Sequence, residues 1–275
     1  MNIWDKLQNL DQRWYYYILL IAISLPIVRP WGLPIKTGAE SEAFHNSIEA
    51  LSEGSAVFLV VGYRTDSLVE MDPQLTVVFR RALEKGVKVI TWGAVDEGAM
   101  VAQNVMKSLS DEMGAVYGVD WINLGYKPIS DALLQKMIDD FPQAMAYSEI
   151  GGGRLDSFEI TKNFNSVTQA DLIVCFSNVT PSPAQSILRM ISIPTGVPIV
   201  MGTASISVPG EMPYYASGQY KGLICGLRGA AEYELLASHP GSAILGMDAQ
   251  SAAHVLVIVL IAIGNLGHFL SKKGR

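Results

Sequence analysis

The sequence is short of the residues that build metal and redox sites. Its 275 residues include two cysteines and four histidines. Cys175 and Cys225 each lie in an apolar, strand-like run and lack the spacing of a metal or redox motif. One disulfide is compatible with an oxidising compartment, but the apolar surroundings favour two buried free thiols. The histidines form neither an H-E-x-x-H pair nor a cysteine–histidine set, so the sequence predicts no metal and no cofactor.

Catalytic and phosphate-binding signatures are missing as well: the chain has no G-x-S-x-G turn, no P-loop and no G-x-G-x-x-G. Basic residues are also scarce between the apolar ends. Residues 37–247 hold 13 Lys and Arg against 23 Asp and Glu, a net charge of 13 − 23 = −10. Because phosphate neutralisation requires basic surface, we expect no nucleic-acid partner. The missing motifs do not exclude an enzyme, but they favour a non-enzymatic role.

Long apolar runs, in contrast, stand at both ends of the chain. Residues 251–270 carry no formal charge and as a helix would cover about 30 Å, the thickness of the hydrocarbon core of a membrane. A core helix of that length would show a polar stripe, whereas residues 255–263 are apolar on every side. We therefore predict a transmembrane helix over 251–270 and a basic cytoplasmic tail over 271–275.

A shorter apolar run precedes the main region. Trp14 to Tyr17 on one side and Trp31 on the other resemble the aromatic belts of a membrane span, which we predict over 15–35. A cleaved signal peptide is the alternative, but P-I-V-R-P-W follows instead of a small-residue cleavage pattern. Residues 1–14 place apolar side chains on one helical face and predict an interfacial amphipathic helix, with a frayed terminus as the alternative.

The basic residues beside these runs predict the orientation of the chain. The outer flanks of the two apolar runs carry five basic residues, and the inner flanks carry two. The positive-inside rule then places both termini in the cytoplasm and the main domain outside it. The chain is thus expected to be integral to the cytoplasmic membrane.

Apolar, β-branched segments alternate with amphipathic helical ones through residues 37–247. The strand-like runs include S-A-V-F-L-V-V-G-Y, V-K-V-I-T-W-G and A-D-L-I-V-C-F-S, and A-M-A-Y-S-E-I is predicted as a further short strand. Asp72 with Pro73 predicts a helix start, Gly86 and Gly114 predict helix ends, and residues 182–185 predict a capping box. We expect an α/β domain with a doubly wound, mostly parallel sheet of about five to seven strands, flanked by N- and C-terminal transmembrane helices.

Ligands of doubly wound sheets bind beyond the carboxyl ends of the strands, where this chain places a polar rim suited to a small molecule. The candidate ligand-binding residues are Tyr63, Arg64, Asp66, Trp92, Asp96, Glu149, Gly151, Gly152, Ser177, Asn178 and Thr203. Two of these segments also have a purely structural interpretation. I-G-G-G-R-L-D is either an anion-binding loop or an ordinary turn, and Asp96 with Glu97 is either an acid–base pair or a helix cap. We favour the turn and the cap.

The second apolar run also carries small and polar residues. His254, Gly264 and Asn265 are predicted transmembrane contacts, because Gly264 permits close helix approach and Asn265 requires a hydrogen-bonding partner in lipid. His254 and Asn265 are about three helical turns apart and therefore project to one side. Self-association and pairing with the first span of the same chain both satisfy this pattern.

Several strings of the sequence carry a resemblance. These are V-D-W-I-N-L-G-Y-K-P, S-G-Q-Y-K-G-L-I-C-G-L-R-G-A-A-E-Y-E-L-L, the G-L-P-I after the first apolar run, and the segment from Met247 to Leu270. Together they resemble an uncharacterised prokaryotic family of two-span membrane proteins with a central Rossmann-like α/β domain. Residues 84–109 are also similar to the sugar-binding fold of periplasmic receptors. The first resemblance implies a bacterial or archaeal membrane protein and assigns no activity.

Three functions fit this organisation. We expect a membrane-anchored assembly or scaffold protein, whose partners are the lipid bilayer and either copies of itself or related membrane subunits. A membrane-tethered module that binds or senses a small molecule is the alternative. An enzyme on a Rossmann-like sheet is third, because it requires convergent titratable groups that the sequence does not identify.

Overall fold

The computed structural model describes residues 11–273, with side chains through residue 269. The chain forms two compact units. One comprises residues 36–243, and the other comprises residues up to 35 together with residues 244 onward. Most of the interfacial helix predicted over 1–14 lies outside the described residues, as does the end of the tail predicted over 271–275.

Residues 36–243 contain a six-stranded sheet with the order β3-β2-β1-β4-β5-β6. Every pair of neighbouring strands is parallel, and the order is that of a doubly wound sheet. The predicted parallel α/β sheet is therefore confirmed. The strands are β1 (Ala56–Gly62), β2 (Lys88–Gly93), β3 (Trp121–Tyr126), β4 (Leu172–Ser177), β5 (Ile199–Thr203) and β6 (Leu223–Cys225).

Helices cover both faces of this sheet, because the strands are apolar on both sides. Leu59 and Val61 of β1 belong to one buried cluster, and Phe58 and Val60 belong to the other. The helices of residues 36–243 are α2 (Ala39–Glu49), α3 (Leu68–Glu84), α4 (Gly98–Met113), α5 (Asp131–Asp139), α6 (Phe141–Ala144), α7 (Pro183–Ile187, continued by Leu188–Ser192 and Ile193–Thr195), α8 (Val208–Ala216) and α9 (Gly226–Leu236). Cys175 and Cys225 are both free thiols, of which Cys175 is buried and Cys225 is half-buried.

Two predicted elements differ in the structure. Helix α3 begins at Leu68 and holds Pro73 in its interior, so Asp72 does not cap it. The Asp72 carboxylate instead accepts a hydrogen bond of 2.9 Å from the Tyr63 hydroxyl. The short strand predicted over 144–150 was wrong, because this stretch follows α6 as a series of turns.

The predicted N-caps at two other helices were also wrong. Ser182 and Glu97 occupy the N-cap positions of α7 and α4, but neither side chain bonds the helix amides. Glu97 bonds Thr65 instead, at 2.9 Å to the backbone N–H and 2.7 Å to the hydroxyl. Gly86 and Gly114, in contrast, follow the last turns of α3 and α4 with the positive φ that a helix-ending glycine adopts.

The other unit contains α1 (Gln12–Val28) and α10 (Ser242–Lys273). Among the described residues, one helical stretch, Ser242–Phe269, is long and apolar enough by length and composition to cross a membrane. Helix α1 ends at Val28, and residues 30–38 contain neither helix nor strand. The helix predicted over 15–35 was therefore too long. Pro30 and Pro34 explain the early end, because proline cannot continue a backbone hydrogen-bond ladder.

The buried carboxylate of Asp248 on α10 holds the segment that follows α1. It accepts hydrogen bonds from the backbone N–H groups of Trp31 at 2.9 Å, Gly32 at 2.9 Å and Leu33 at 3.2 Å. Gly32 has φ +61°, which turns successive amides toward one acceptor and which a residue with a side chain rarely adopts. We call this arrangement the Asp248 clasp.

Candidate functional site at the carboxyl edge of the sheet

The connections that leave the carboxyl ends of β1 and β4 run in opposite directions along the sheet. Strand β1 is followed along the chain by β2 on one side, and β4 is followed by β5 on the other. This switch point is where doubly wound sheets place their ligands. The predicted residues Arg64, Asp66 and Asn178 lie in the two loops that meet here.

The loops after β1 and β2 are joined by charged pairs. The Arg64 Nε donates to Asp96 at 2.9 Å, and the two side chains are about half exposed. The hydrogen bond from the Arg64 guanidinium holds the pKa of Asp96 below its ordinary value. Glu97, bonded to Thr65, likewise has a lowered pKa because its carboxylate accepts two hydrogen bonds. Both carboxylates are thus kept ionised and engaged, which is a poor arrangement for an acid–base pair.

Across the switch point, the Asn178 side chain bonds the Ser67 hydroxyl and lies 3.5 Å from the Asp66 carboxylate. The Ser67 hydroxyl also donates to Asp66 at 2.6 Å. The Asn178 Oδ1 is buried, and no hydrogen-bond partner for it occurs within the described part of the chain. The side chains of the two loops therefore bond one another at the switch point, and Asn178 Oδ1 is among the buried polar atoms that are left without a partner in the described residues.

Five of the predicted rim residues are buried: Glu149, which is described below, and four at the strand ends, Tyr63, Trp92, Ser177 and Thr203. The Ser177 hydroxyl donates to the Gly62 carbonyl at 3.0 Å, and the Thr203 hydroxyl donates to the Ser177 carbonyl at 2.8 Å. Trp92 stacks on Phe58 at 6.1 Å between ring centroids. These side chains fix the strand ends, so a ligand on the rim would not touch them directly.

Glu149 and the glycine-rich loop lie beside the edge strand β3 and form a closed turn. The Glu149 carboxylate accepts hydrogen bonds from Gly151 N–H at 2.9 Å and Gly153 N–H at 2.8 Å, and from the Tyr117 hydroxyl at 2.5 Å. Burial and this carboxylate raise the pKa of Tyr117. Gly152 has φ +79°, which permits the tight turn. The chain's own carboxylate thus occupies the amides that an external anion would need.

A surface cavity of about 370 Å³ opens next to this turn. Glu149 and Gly151 line it together with Trp121 and residues of α4, including Gln103 and Lys107. Trp121 is buried, and its indole Nε1 has no hydrogen-bond partner among the described residues. The candidate residues therefore divide between this cavity and the switch point, and the structure does not join them into a single site.

Residues that sequence reasoning missed complete the rim at the switch point. The Glu70 carboxylate accepts hydrogen bonds from Ser205 at 2.6 Å to the backbone N–H and 2.8 Å to the hydroxyl, which joins the first turn of α3 to the loop after β5. Beside these bonds the rim exposes three apolar side chains: Val69 (77% exposed), Met100 (59%) and Ile206 (87%). These three apolar residues carry no recognisable sequence signal, because only their exposure distinguishes them from core residues.

On α10, the predicted contacts His254, Gly264 and Asn265 are all exposed. A Cβ placed on Gly264 would have no neighbour within 4 Å. These three residues are therefore not used in packing within the described chain, and their role as contacts stays a prediction.

Scans of the chain against protein-family models, curated proteins and solved structures found no match.

Proposed function

We propose that this chain is a membrane-anchored, non-enzymatic assembly protein, which forms a homo- or hetero-oligomer through its α/β domain and its membrane helices. The observation that carries the proposal is the state of the carboxyl edge. Its polar groups bond one another across the loops, while Val69, Met100 and Ile206 are exposed. Exposed apolar side chains within a polar rim are typical of protein interaction sites.

The three candidate carboxylates of the described residues do not converge, and this disfavours the catalytic alternative. Asp66, Asp96 and Glu149 have three separate sets of partners: Ser67, Arg64 and the glycine turn. Catalytic carboxylates need a shared space in which a substrate can meet them. These carboxylates instead hold loops together, which suits a rigid rim.

In the proposed topology, α10 and α1 both lie in the cytoplasmic membrane, the termini face the cytoplasm and the α/β domain lies outside. The 17 residues of α1 would span about 26 Å, close to the hydrocarbon thickness, and Trp14, Tyr16 and Tyr17 are exposed near its start. Membrane-impermeant labelling of single cysteines tests this topology. Labelling of Glu53→Cys from the outside, and not of Ser271→Cys, is expected, and the reverse pattern would refute it.

Native mass spectrometry of the full chain in mild detergent tests the assembly. We expect species larger than the monomer, and we expect Ile206→Ser to reduce them because this variant removes the most exposed apolar side chain of the rim. Ile193→Ser is the matched control, since Ile193 is also exposed but lies near the end of the α7 segment, away from the carboxyl edge. A wild-type protein that stays monomeric at every concentration would refute the proposal.

A second candidate function, a membrane-tethered ligand-binding module, is favoured by the cavity beside Glu149. Its volume of about 370 Å³ is within the range of small-molecule sites, and Trp121, whose buried indole N–H has no partner among the described residues, is one of its lining residues. Ligand binding stabilises the folded state by mass action. Thermal-shift screening with sugars, amino acids and nucleotides should therefore raise Tm for a true ligand, less so in Trp121→Phe. A screen without any shift would remove this candidate.

A further inference from the structure

We propose that the lipid-facing side of α10 pairs with the same side of α10 in a second copy of the chain, in register and parallel. This inference rests on the proposed assembly function and names the partner of one surface. The surface consists of His254, Ile258, Ile261 and Asn265, which we call the α10 stripe. All four side chains are exposed.

The spacing of the α10 stripe is that of a coiled-coil seam. Its members follow one another at intervals of four, three and four residues, so Ile258 and Asn265 occupy one heptad position and His254 and Ile261 the other. At about 100° per residue, His254 and Ile258 lie within about 20° of Asn265 around the helix, and Ile261 lies within about 40°. One narrow face therefore carries the two polar side chains of residues 252–267, a stretch that is otherwise apolar.

The opposite face of α10 is already occupied. Ala249, Ala252 and Gly267 are buried, and they lie about 140–160° around the helix from Asn265. Asp248, which forms the clasp, is buried as well. The buried positions of α10 thus lie away from the α10 stripe, and the stripe belongs to a broader exposed surface that also includes Val255, Val257 and Leu266. Within that surface, the stripe carries His254 and Asn265.

The hydrogen-bonding groups of Asn265 favour a second copy of this chain as the partner of the α10 stripe. An amide in the hydrocarbon region has both a donor and an acceptor to satisfy, and in a two-fold pair Asn265 meets Asn265, which supplies both. All copies insert with the same orientation, so their α10 helices are parallel and identical positions face each other. A single asparagine at a seam position also fixes the register. The space open around Gly264, on the flank of the stripe, permits close approach of the two backbones.

Cysteine cross-linking in native membranes tests the pairing in the full chain. Ile261→Cys places a thiol on the α10 stripe, and Val259→Cys is the control because it is exposed at nearly the same depth but about 160° around the helix. Under copper-phenanthroline oxidation we expect a disulfide-linked dimer from Ile261→Cys. Val259→Cys and the wild type, whose own thiols are buried or half-buried, should give little or none. Equal cross-linking of the two variants would indicate random collision and overturn the proposal.

The contribution of Asn265 is measured in the same assay. Adding Asn265→Leu to Ile261→Cys should weaken dimerisation about three- to tenfold, the range for one interhelical hydrogen bond in a membrane. Asn265→Gln, which keeps the amide, should weaken it less. A dimer that survives Asn265→Leu unchanged would show that the amide does not pair.

Failure of this inference is distinguishable from failure of the proposed function. Wild-type oligomers in native mass spectrometry without a cross-link at Ile261→Cys would refute the α10 pairing alone. Monomers in both experiments would refute the pairing and the assembly function together.

Discussion

The Asp248 clasp makes a quantitative prediction for Asp248→Asn. The carboxylate uses Oδ2 for the Trp31 and Gly32 amides and Oδ1 for the Leu33 amide. In asparagine one oxygen is retained for the first two amides, while the new NH2 group faces the Leu33 N–H and cannot accept from it. One hydrogen bond is lost outright, and two lose their charge assistance.

The expected cost follows from these contacts. A hydrogen bond to a charged acceptor contributes about 1.5–3 kcal/mol. Trp31 and Leu33 are about half exposed, so water replaces part of what is lost. We therefore expect the clasp to weaken by about 2 kcal/mol, which corresponds to roughly a 30-fold change in its opening equilibrium.

Hydrogen exchange of the full chain in detergent measures this opening directly, because local exchange rates report local free energies. The peptide covering residues 31–33 should exchange roughly 30-fold faster in Asp248→Asn, while peptides from the α/β sheet stay unchanged. Gln250→Ala, an exposed polar change two residues along α10, is the matched control. An unchanged rate for residues 31–33 would show that the carboxylate does not hold these amides.

Two further predictions concern the α/β domain. The hydrogen bonds from Arg81, at 2.6 and 2.8 Å, lower the pKa of Glu49 from 4.5 to about 2, so this pair stabilises the fold fully above pH 4.5 and loses its contribution as the pH falls toward 2. Glu49→Gln should therefore cost about 1 kcal/mol of folding free energy at pH 7 and lower Tm by about 2–4 °C. In circular-dichroism melts the difference in Tm between the variant and the wild type should shrink below pH 4.5. A difference in Tm that does not depend on pH would contradict this assignment. In Gly222→Ala the new Cβ would overlap the backbone of Phe44, so we expect the free energy of unfolding in denaturant to fall by about 2 kcal/mol or more. Gly210→Ala is the control and should cost nothing, because its Cβ meets open space. Equal effects of the two variants would refute the close approach of Gly222 to Phe44.

The sheet was predictable because its strands are buried on both faces. Runs such as the one ending at Tyr63 are apolar without alternation, and this pattern is typical of parallel strands covered by helices. The glycines at 86 and 114 mark helix ends by a local requirement for positive φ. Such features depend on a few neighbouring residues, so the sequence displays them.

The candidate site was less predictable because its contacts join distant loops. Arg64 and Asp96 are 32 residues apart, and Glu70 and Ser205 are 135 apart. Asp96 and Glu97 have the sequence pattern of helix caps, and only the fold shows that the loop after β1 recruits them instead. Likewise, Tyr63 and Trp92 are buried because other elements cover both faces of the sheet at the strand ends, and a linear pattern does not show how far that cover extends.

The first apolar helix was predicted too long for a related reason. Its apolar composition continues past Val28, but the prolines at 30 and 34 and the hydrogen bonds to Asp248 give this stretch an extended path. Tertiary hydrogen bonds with a partner 217 residues away decided the conformation.

The Asp248 clasp also determines how mechanical load travels through the molecule. It joins residues 31–33 directly to residue 248, so the roughly 200 residues between them form a loop closed by hydrogen bonds. Tension applied between the two ends of the chain passes through the clasp and bypasses the sheet. Pulling on the two ends would therefore load the three hydrogen bonds of the clasp first, and residues 34–247 would bear tension only after the Asp248 carboxylate releases its amides.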